Sequence, residues 1–272
     1  MKTPSFDIRG KVAVITGAAG ILCSEMAREM AALGCKVAVL DLKGEAAEAV
    51  AQDIRQAGYE AAAWAVDVLD KGSIQAACDG VLAKWGRVDI LVNGAGGNHP
   101  KASTGDEMSF FDLPTDALQW VFNLNFVGTV MATQVFGKVM QDQKSGNVIN
   151  ICSMSGIRPL TKVVGYSAAK AALANFTQWM ATYFNDNVST DIRVNAIAPG
   201  FLLTEQNRFL MTDRETGEPT PRGRHVLQQT PMKRYGQPEE LVGAIVFLAS
   251  PAASFVNGVI LPIDGGFAAY AI

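Results

Sequence analysis

KVAVITGAAGILCSEMAREMAALGCKVAVLDL, residues 11–42, is the stretch on which the fold turns. Its first part, KVAVITG, is short, rich in β-branched residues and stopped by glycine, the pattern of a buried strand. The middle, AAGILCSEMAREMAALG, repeats its apolar positions at helical spacing and stops at Gly34. KVAVLDL is a second strand. The same alternation continues with EAAEAVAQDIRQAG and AAAWAVDVLD, then SIQAACDGVLAKWG and RVDILVNGAGG. Strands alternating with helices of this length predict βαβ crossovers and a parallel sheet covered on both faces.

The second half keeps the rhythm. LQWVFNLNFVGTVMATQVFGKVM, 118–140, is one long helical stretch, and GNVINICSMSG is a fifth strand. TKVVGYSAAKAALANFTQWMATYF is another helix, DIRVNAIAPG a sixth strand, EELVGAIVFLAS a helix and NGVILPIDGG a last strand. Between 201 and 240 the alternation breaks into a segment rich in Thr, Pro, Arg and Gln. TEQNRFLM there predicts a helix and ETGEPTPRG a turn-rich loop. A connection of that length beside strand ends is expected to cover a site. No repeat or interdomain linker interrupts residues 1–272, so a single α/β domain is expected, a doubly wound parallel sheet of about seven strands.

Composition narrows the function. Hydrophobic residues make up 49% of the 272, ample for a core. The net charge of -3 and the lack of a basic stripe argue against nucleic acid. Four cysteines without ligand spacing are expected to be buried free thiols of a reducing compartment. Two histidines rule out a multi-histidine centre, and no metal is expected. The N-terminus lacks a signal-type apolar region and no run is long enough to span a membrane, so a soluble cytoplasmic protein is expected.

The chemistry-bearing residues cluster at strand ends. Thr16, Gly17 and Gly20 end the first strand, where glycines permit a tight turn and a close approach to phosphate. Ile21 and Leu22 open the helix that would offer free N–H groups to it. Asp41 ends the second strand, where a carboxylate can accept both hydroxyls of an adenine ribose and repel a 2'-phosphate, favouring NAD over NADP. Asp67 is placed to meet an adenine edge and Val68 to pack on the ring. Asn93, Gly94 and Ala95 close the fourth strand with small residues that let a cofactor lie against the sheet. Asn125 is a polar amide inside an apolar helix and needs a partner or a purpose. Tyr166 and Lys170 stand four apart and so share a helix face. They could be a surface accident, or a proton donor beside the charge that tunes it.

Taken in order, these pieces resemble the short-chain dehydrogenase/reductase family over nearly the whole chain. The matching residues are Thr16–Gly17, Asp67, NGAG at 93–96, Asn125, Ser153, YxxxK at Tyr166–Lys170, and Pro199–Gly200. The resemblance implies a Rossmann-type sheet and an NAD(H)-dependent oxidoreductase assembled as a homotetramer, with helices 118–140 and 166–183 at one interface. It implies that Tyr166 is the acid/base and that Lys170 favours its phenolate and holds the nicotinamide ribose. Ser153 would hydrogen-bond the substrate oxygen, Asn125 would support a water leading from Lys170 to solvent, and Pro199 and Gly200 would flank the cofactor. One departure stands out. The family's first turn reads TGxxxGxG, whereas here it reads TGAAGILC, with Ile21 and Cys23 in glycine places and Gly20 one position early.

TGAAGILCSEMA, NGAGGNHP, PLTKVVGYSAAKAA, APGFLLTEQNR and LPIDGGFAAYAI are similar to the family's D-mannonate oxidoreductase, or fructuronate reductase, subgroup. That implies a small sugar acid as substrate. A sugar carboxylate calls for a fixed cation, and arginine presents a planar fork to it. Arg208 is the first candidate, with Arg158, Lys162 and His99 beside it, and Asn98 and Gln206 for hydroxyls. Another polyol, a gluconate-type acid or a 3-oxoacyl substrate is the alternative within enzymes. A catalytically silent nucleotide-binding protein is the alternative outside them, and the intact Ser153, Tyr166 and Lys170 speak against it.

Overall fold

The computed structural model describes residues 5–204, 208–213 and 216–270. Seven strands form one parallel sheet: β1 (Val12–Thr16), β2 (Lys36–Asp41), β3 (Ala61–Ala65), β4 (Ile90–Asn93), β5 (Gly146–Ile151), β6 (Ile192–Pro199) and β7 (Ile260–Ile263). Their order is β3-β2-β1-β4-β5-β6-β7. The chain winds outward from β1 in one direction and from β4 in the other. The gap between β1 and β4 is therefore the switch point at which open α/β sheets take ligands.

Alternation along the strands divides the interior in two. Ala13 and Ile15 of β1 and Val37 and Val39 of β2 pack with helices α1 (Ile21–Ala32), α2 (Gly44–Gln56) and α9 (Val242–Ala249). Val12 and Val14, with Ala38 and Leu40, face the opposite layer of α3 (Lys71–Trp85), α5 (Gly128–Gln143) and α6 (Val164–Asn187). Strands covered on both faces can be apolar at every position, and β1 and β4 are buried throughout.

The 118–140 stretch departs from one regular helix. Helix α4 (Thr115–Phe122) passes through a π-turn at Asn123–Val127 before continuing as α5. Between β4 and α4, residues 98–114 make an excursion with short 3₁₀ turns at Pro100–Ala102 and Phe110–Asp112. The 201–240 segment carries α7 (Arg208–Met211) and α8 (Pro221–Gln229); the described part of the expected ETGEPTPRG loop is non-helical as far as Thr220, and α8 takes over from Pro221. Thr220 caps α8 by accepting from the Gly223 N–H at 3.0 Å, and proline follows it at the first helical position. The base of the segment is closed by backbone bonds between Leu203 and Gly236 and between Gly236 and Phe201, at 2.9 and 3.0 Å.

Candidate active site

The turn after β1 is held from three directions. Gly17 takes a positive φ of 64°, and a Cβ there would meet the Ala95 backbone at 2.7 Å. The Thr16 hydroxyl accepts the N–H groups of Gly94 and Ala95, at 3.1 and 3.2 Å, which ties β1 to β4 across the switch point. Asp41 braces the turn from β2, one carboxylate oxygen accepting from the Ala19 N–H and the other from the Lys43 N–H, both at 3.0 Å.

Helix α1 starts at Ile21 with Gly20 as its cap and no side-chain cap. Its first i→i−4 bond runs from Ser24 to Gly20, so Ile21, Leu22 and Cys23 have no acceptor within the helix for their N–H groups. Those donors open onto a cavity of about 420 Å³ lined by Gly17, Gly20–Cys23, Asp41–Lys43, Val66–Val68, Gly94–Gly96, Trp120, Leu124 and Ile151. A helix N-terminus facing glycine backbone suits a pyrophosphate, and the two acids beyond it suit an adenosine. The residues present fit a dinucleotide.

Cys23 shows how the altered turn is accommodated. Its sulfur occupies the space that a Cβ on Gly94 would need. A thiol at the third-glycine place is thus matched by a glycine on the opposing strand end. Burial pushes this thiol up to about 12, against the opposing pull of the Lys170 charge, so it stands as a neutral packing group.

A second cavity, of about 300 Å³, adjoins the first through Ile21, Leu22, Gly94, Gly96 and Ile151. It gathers Ser153, Tyr166, Lys170, Pro199 and Gly200 from β5, α6 and β6. Lys170 is buried, with 5% exposure, and its ammonium donates to the Ile151 carbonyl at 2.8 Å. The same ammonium lies 5.6 Å from the centre of the Tyr166 ring. The Ser153 hydroxyl accepts the Ser155 N–H at 3.2 Å, which leaves its proton free for a ligand. The backbone of Lys170 is itself held, since the Cys152 thiol donates to its carbonyl at 3.3 Å.

Asn125 sits in the π-turn and is fully buried. Its amide nitrogen donates to the carbonyls of Gly97 and Val121, at 2.6 and 2.8 Å, and its oxygen accepts the Gly97 N–H at 3.1 Å. The widened turn frees a backbone carbonyl, and the side chain takes it up while clasping the strand-end loop. Asn93 lies lower in the sheet, bonded to Thr133 and Asn150. Asp67 and Val68 line the dinucleotide cavity, and the Asp67 carboxylate accepts the Leu69 N–H at 2.8 Å.

The proposed substrate contacts scatter. Arg158 and Lys162 line a different cavity, one bounded by Ser155 and Gly156. Arg158 donates to the Phe267 carbonyl at 3.1 Å and lies 5.0 Å from that ring. Asn98 is exposed and donates to Ser103 at 2.8 Å. The His99 ring meets the edge of Trp120 at 5.4 Å. Arg208 is exposed at the start of α7, and Gln206 lies outside the described residues. The sequence reading missed Phe201, Leu202 and Thr204, which line the Ser153 cavity, and Trp120 and Leu124, which line its neighbour. Proximity to Pro199–Gly200 could have signalled the first group. The second group reads as plain helix apolar pattern.

Residues 17–268 match the family model described as enoyl-(acyl carrier protein) reductase. An uncharacterized oxidoreductase, UxuB, of Bacillus subtilis strain 168 is 48% identical over 97% of this chain and 97% of its own length. The crystal structure of a candidate D-mannonate oxidoreductase from Haemophilus influenza, with bound NAD, superposes with a TM-score of 0.92 at 46% identity, covering 97% of each chain. At about a third identity the relatives differ in substrate. In Escherichia coli K12 a 7alpha-hydroxysteroid dehydrogenase is 34% identical over 94% of both chains, and a 5-keto-D-gluconate 5-reductase is 32% identical over 96% of both.

Proposed function

The chain belongs to the short-chain dehydrogenase/reductase family, and from that premise we propose that it is an NAD(H)-dependent oxidoreductase interconverting a ketone and a secondary alcohol on a sugar acid, with D-fructuronate and D-mannonate as the pair. The observation that carries the reading is the convergence of Ser153, Tyr166 and buried Lys170 on one cavity that opens directly into the dinucleotide cleft. A gluconate-type keto acid is the second reading, favoured by the similarity to the 5-keto-D-gluconate enzyme.

The bound dinucleotide supplies the hydride chemistry. Gly17, Gly20, Ile21 and Leu22 would hold its pyrophosphate region, Asp41 its adenine ribose, Asp67 and Val68 its adenine, and Gly94 and Ala95 the floor of the cleft, with Thr16 and Asn93 acting from beneath by fixing those strand ends. Pro199 and Gly200 would border its other end. Ser153 donates its hydroxyl proton as a hydrogen bond to the substrate oxygen and fixes the carbonyl's direction. Tyr166 passes its phenolic proton to that oxygen in reduction and takes it back in oxidation. The Lys170 ammonium, held by the Ile151 carbonyl beside the Tyr166 ring, would offer its remaining protons to the ribose hydroxyls of the cofactor. Asn125 ties the Gly97 loop to α4 and would support a water leading from Lys170 to solvent.

Arg208 remains the proposed carboxylate partner, brought in by the 201–240 segment acting as a cover, with His99 and Asn98 as further proposed contacts. We propose one domain over residues 1–272, a cytoplasmic location and a homotetramer. The exposed stacked pair Trp179–Tyr183 on α6 supports that face as an interface. Among the described residues no helix is long and apolar enough to cross a membrane.

The test is a panel of hexuronates, aldonates and neutral polyols with NADH, NADPH and their oxidised forms, read as kcat/KM. The acids should lead with NAD(H). Tyr166→Phe should lower kcat by at least about 10²-fold while NADH binding holds. Near-normal turnover by that variant removes the mechanism, and a panel led by neutral polyols removes the sugar acid.

A further inference from the structure

We infer that Trp120 is a cofactor-binding residue: its indole forms the wall against which the adenosine half of the dinucleotide packs, and His99 is the residue that positions it. The inference rests on the NAD(H) reading above.

Helix α4 does not need Trp120 for its core. It buries Ala117 and Val121, which pack with Ala102, Leu118 and Tyr166 in a small cluster of their own. Trp120 lies off that stripe, is 44% exposed, and joins none of the hydrophobic clusters of the described residues. Its side chain instead lines the dinucleotide cavity together with Asp41, Leu42, Asp67 and Val68. Those four come from the ends of β2 and β3, the side of the cleft that suits the adenosine. A flat indole left half in water beside a cleft gains by being covered with a flat ligand.

The wall is also fixed in place before any ligand arrives. The His99 ring meets the indole edge-on, 5.4 Å between centres and 68° between planes. His99 is itself held by accepting the Lys101 N–H on Nδ1 at 3.1 Å, which makes it the cap of the Pro100–Ala102 turn. That turn follows Gly97, whose N–H and carbonyl are both engaged by Asn125. The indole is thus braced from the same loop that borders the Ser153 cavity. An aromatic already held in place loses little freedom on binding, so more of its contact appears as affinity.

Dissociation constants for NADH, ADP-ribose and AMP, measured with the wild type and with Trp120→Ala, Trp120→Phe and His99→Ala, test this. Trp120→Ala should weaken all three ligands by about tenfold, the scale of a base stacked on an aromatic side chain. Trp120→Phe should recover most of that loss, and His99→Ala should fall between. The melting temperature of Trp120→Ala should stay at the wild-type value, because the side chain lies outside the core. Unchanged NADH affinity in Trp120→Ala overturns the inference. So does a loss for NADH that AMP does not share, since the contact would then lie on the other half of the cofactor. Failure of the wild type to bind either NADH or AMP would instead overturn the dinucleotide reading, and this inference with it.

Discussion

Gly96 has no Cβ, and the place where one would stand is already taken. An added methyl would lie 2.6 Å from the Asn125 oxygen and 3.3 Å from the Lys170 ammonium. Glycine is needed here for close approach, since its φ is not in the left-handed region. Gly96→Ala should push the amide and the ammonium apart and lower kcat on the order of 10²-fold, the cost of a misplacement of about 1 Å. Steady-state kinetics beside a thermal melt check this. Unaltered kcat would show that Lys170 has slack. At this scale the sequence told much: Ser153, Tyr166 and Lys170 were marked by type and spacing. It could not tell which atoms Gly96 makes room for, because that depends on two neighbouring helices of one layer meeting at the strand ends. The setting of Arg158 was hidden for the same reason. Its charge was visible, but its engagement with the Phe267 carbonyl and ring, more than a hundred positions away, was not.

The π-turn between α4 and α5 is the element with most bearing on the site. The apolar pattern of 118–140 runs through it unbroken, so a one-residue widening leaves no periodic trace. The trace it did leave was chemical, an asparagine where a helix interior disfavours one. Replacing Asn125 with alanine removes two donations and one acceptance, and leaves the Val121 carbonyl and both Gly97 groups short of partners. The loss should be about 2–3 kcal/mol of stability, read from urea unfolding, together with a fall in kcat. A variant with full stability and reduced kcat would mean that water replaces the amide at no cost. Helix α8 escaped the sequence reading because it is polar almost throughout and buries only Gly223 and Val226. Its signal was local, the threonine cap followed by proline. The strands other than the alanine-rich β3 needed no such help, since their runs of Val and Ile are the plainest pattern in the chain.

Across the whole molecule, one parallel sheet separates two cores, and all four cysteines are buried. Burial pushes Cys23 and Cys35 up to about 12 and Cys78 to about 11, from an ordinary value of 9.0. The native state therefore keeps protons that the unfolded chain releases as pH rises past 9. The stability these thiols contribute is complete below that value and is lost as pH climbs toward 11–12. The urea midpoint should fall between about pH 8.5 and 10.5, and fall less in Cys23→Ala. Native protein at pH 8 should resist a thiol-labelling reagent, and unfolded protein should take up four equivalents. Rapid labelling of the native state would place at least one sulfur within reach of solvent.

The brace that Asp41 gives the first turn has an evolutionary consequence. Its two oxygens hold the backbone at Ala19 and at Lys43, while the same carboxylate is the group that would discriminate against a 2'-phosphate. Coenzyme preference and loop architecture are thus encoded in one side chain and cannot drift independently. A lineage moving toward NADPH by discarding the acid would loosen the pyrophosphate cradle in the same step. Asp41→Ala should accordingly narrow the preference by losing kcat/KM with NADH, without a matching gain with NADPH. Asp41→Asn, which keeps one acceptor for the turn, should lose less. Only a second change that secures Ala19 by other means would let an introduced arginine convert the enzyme, so a switch of coenzyme here needs at least two coordinated substitutions.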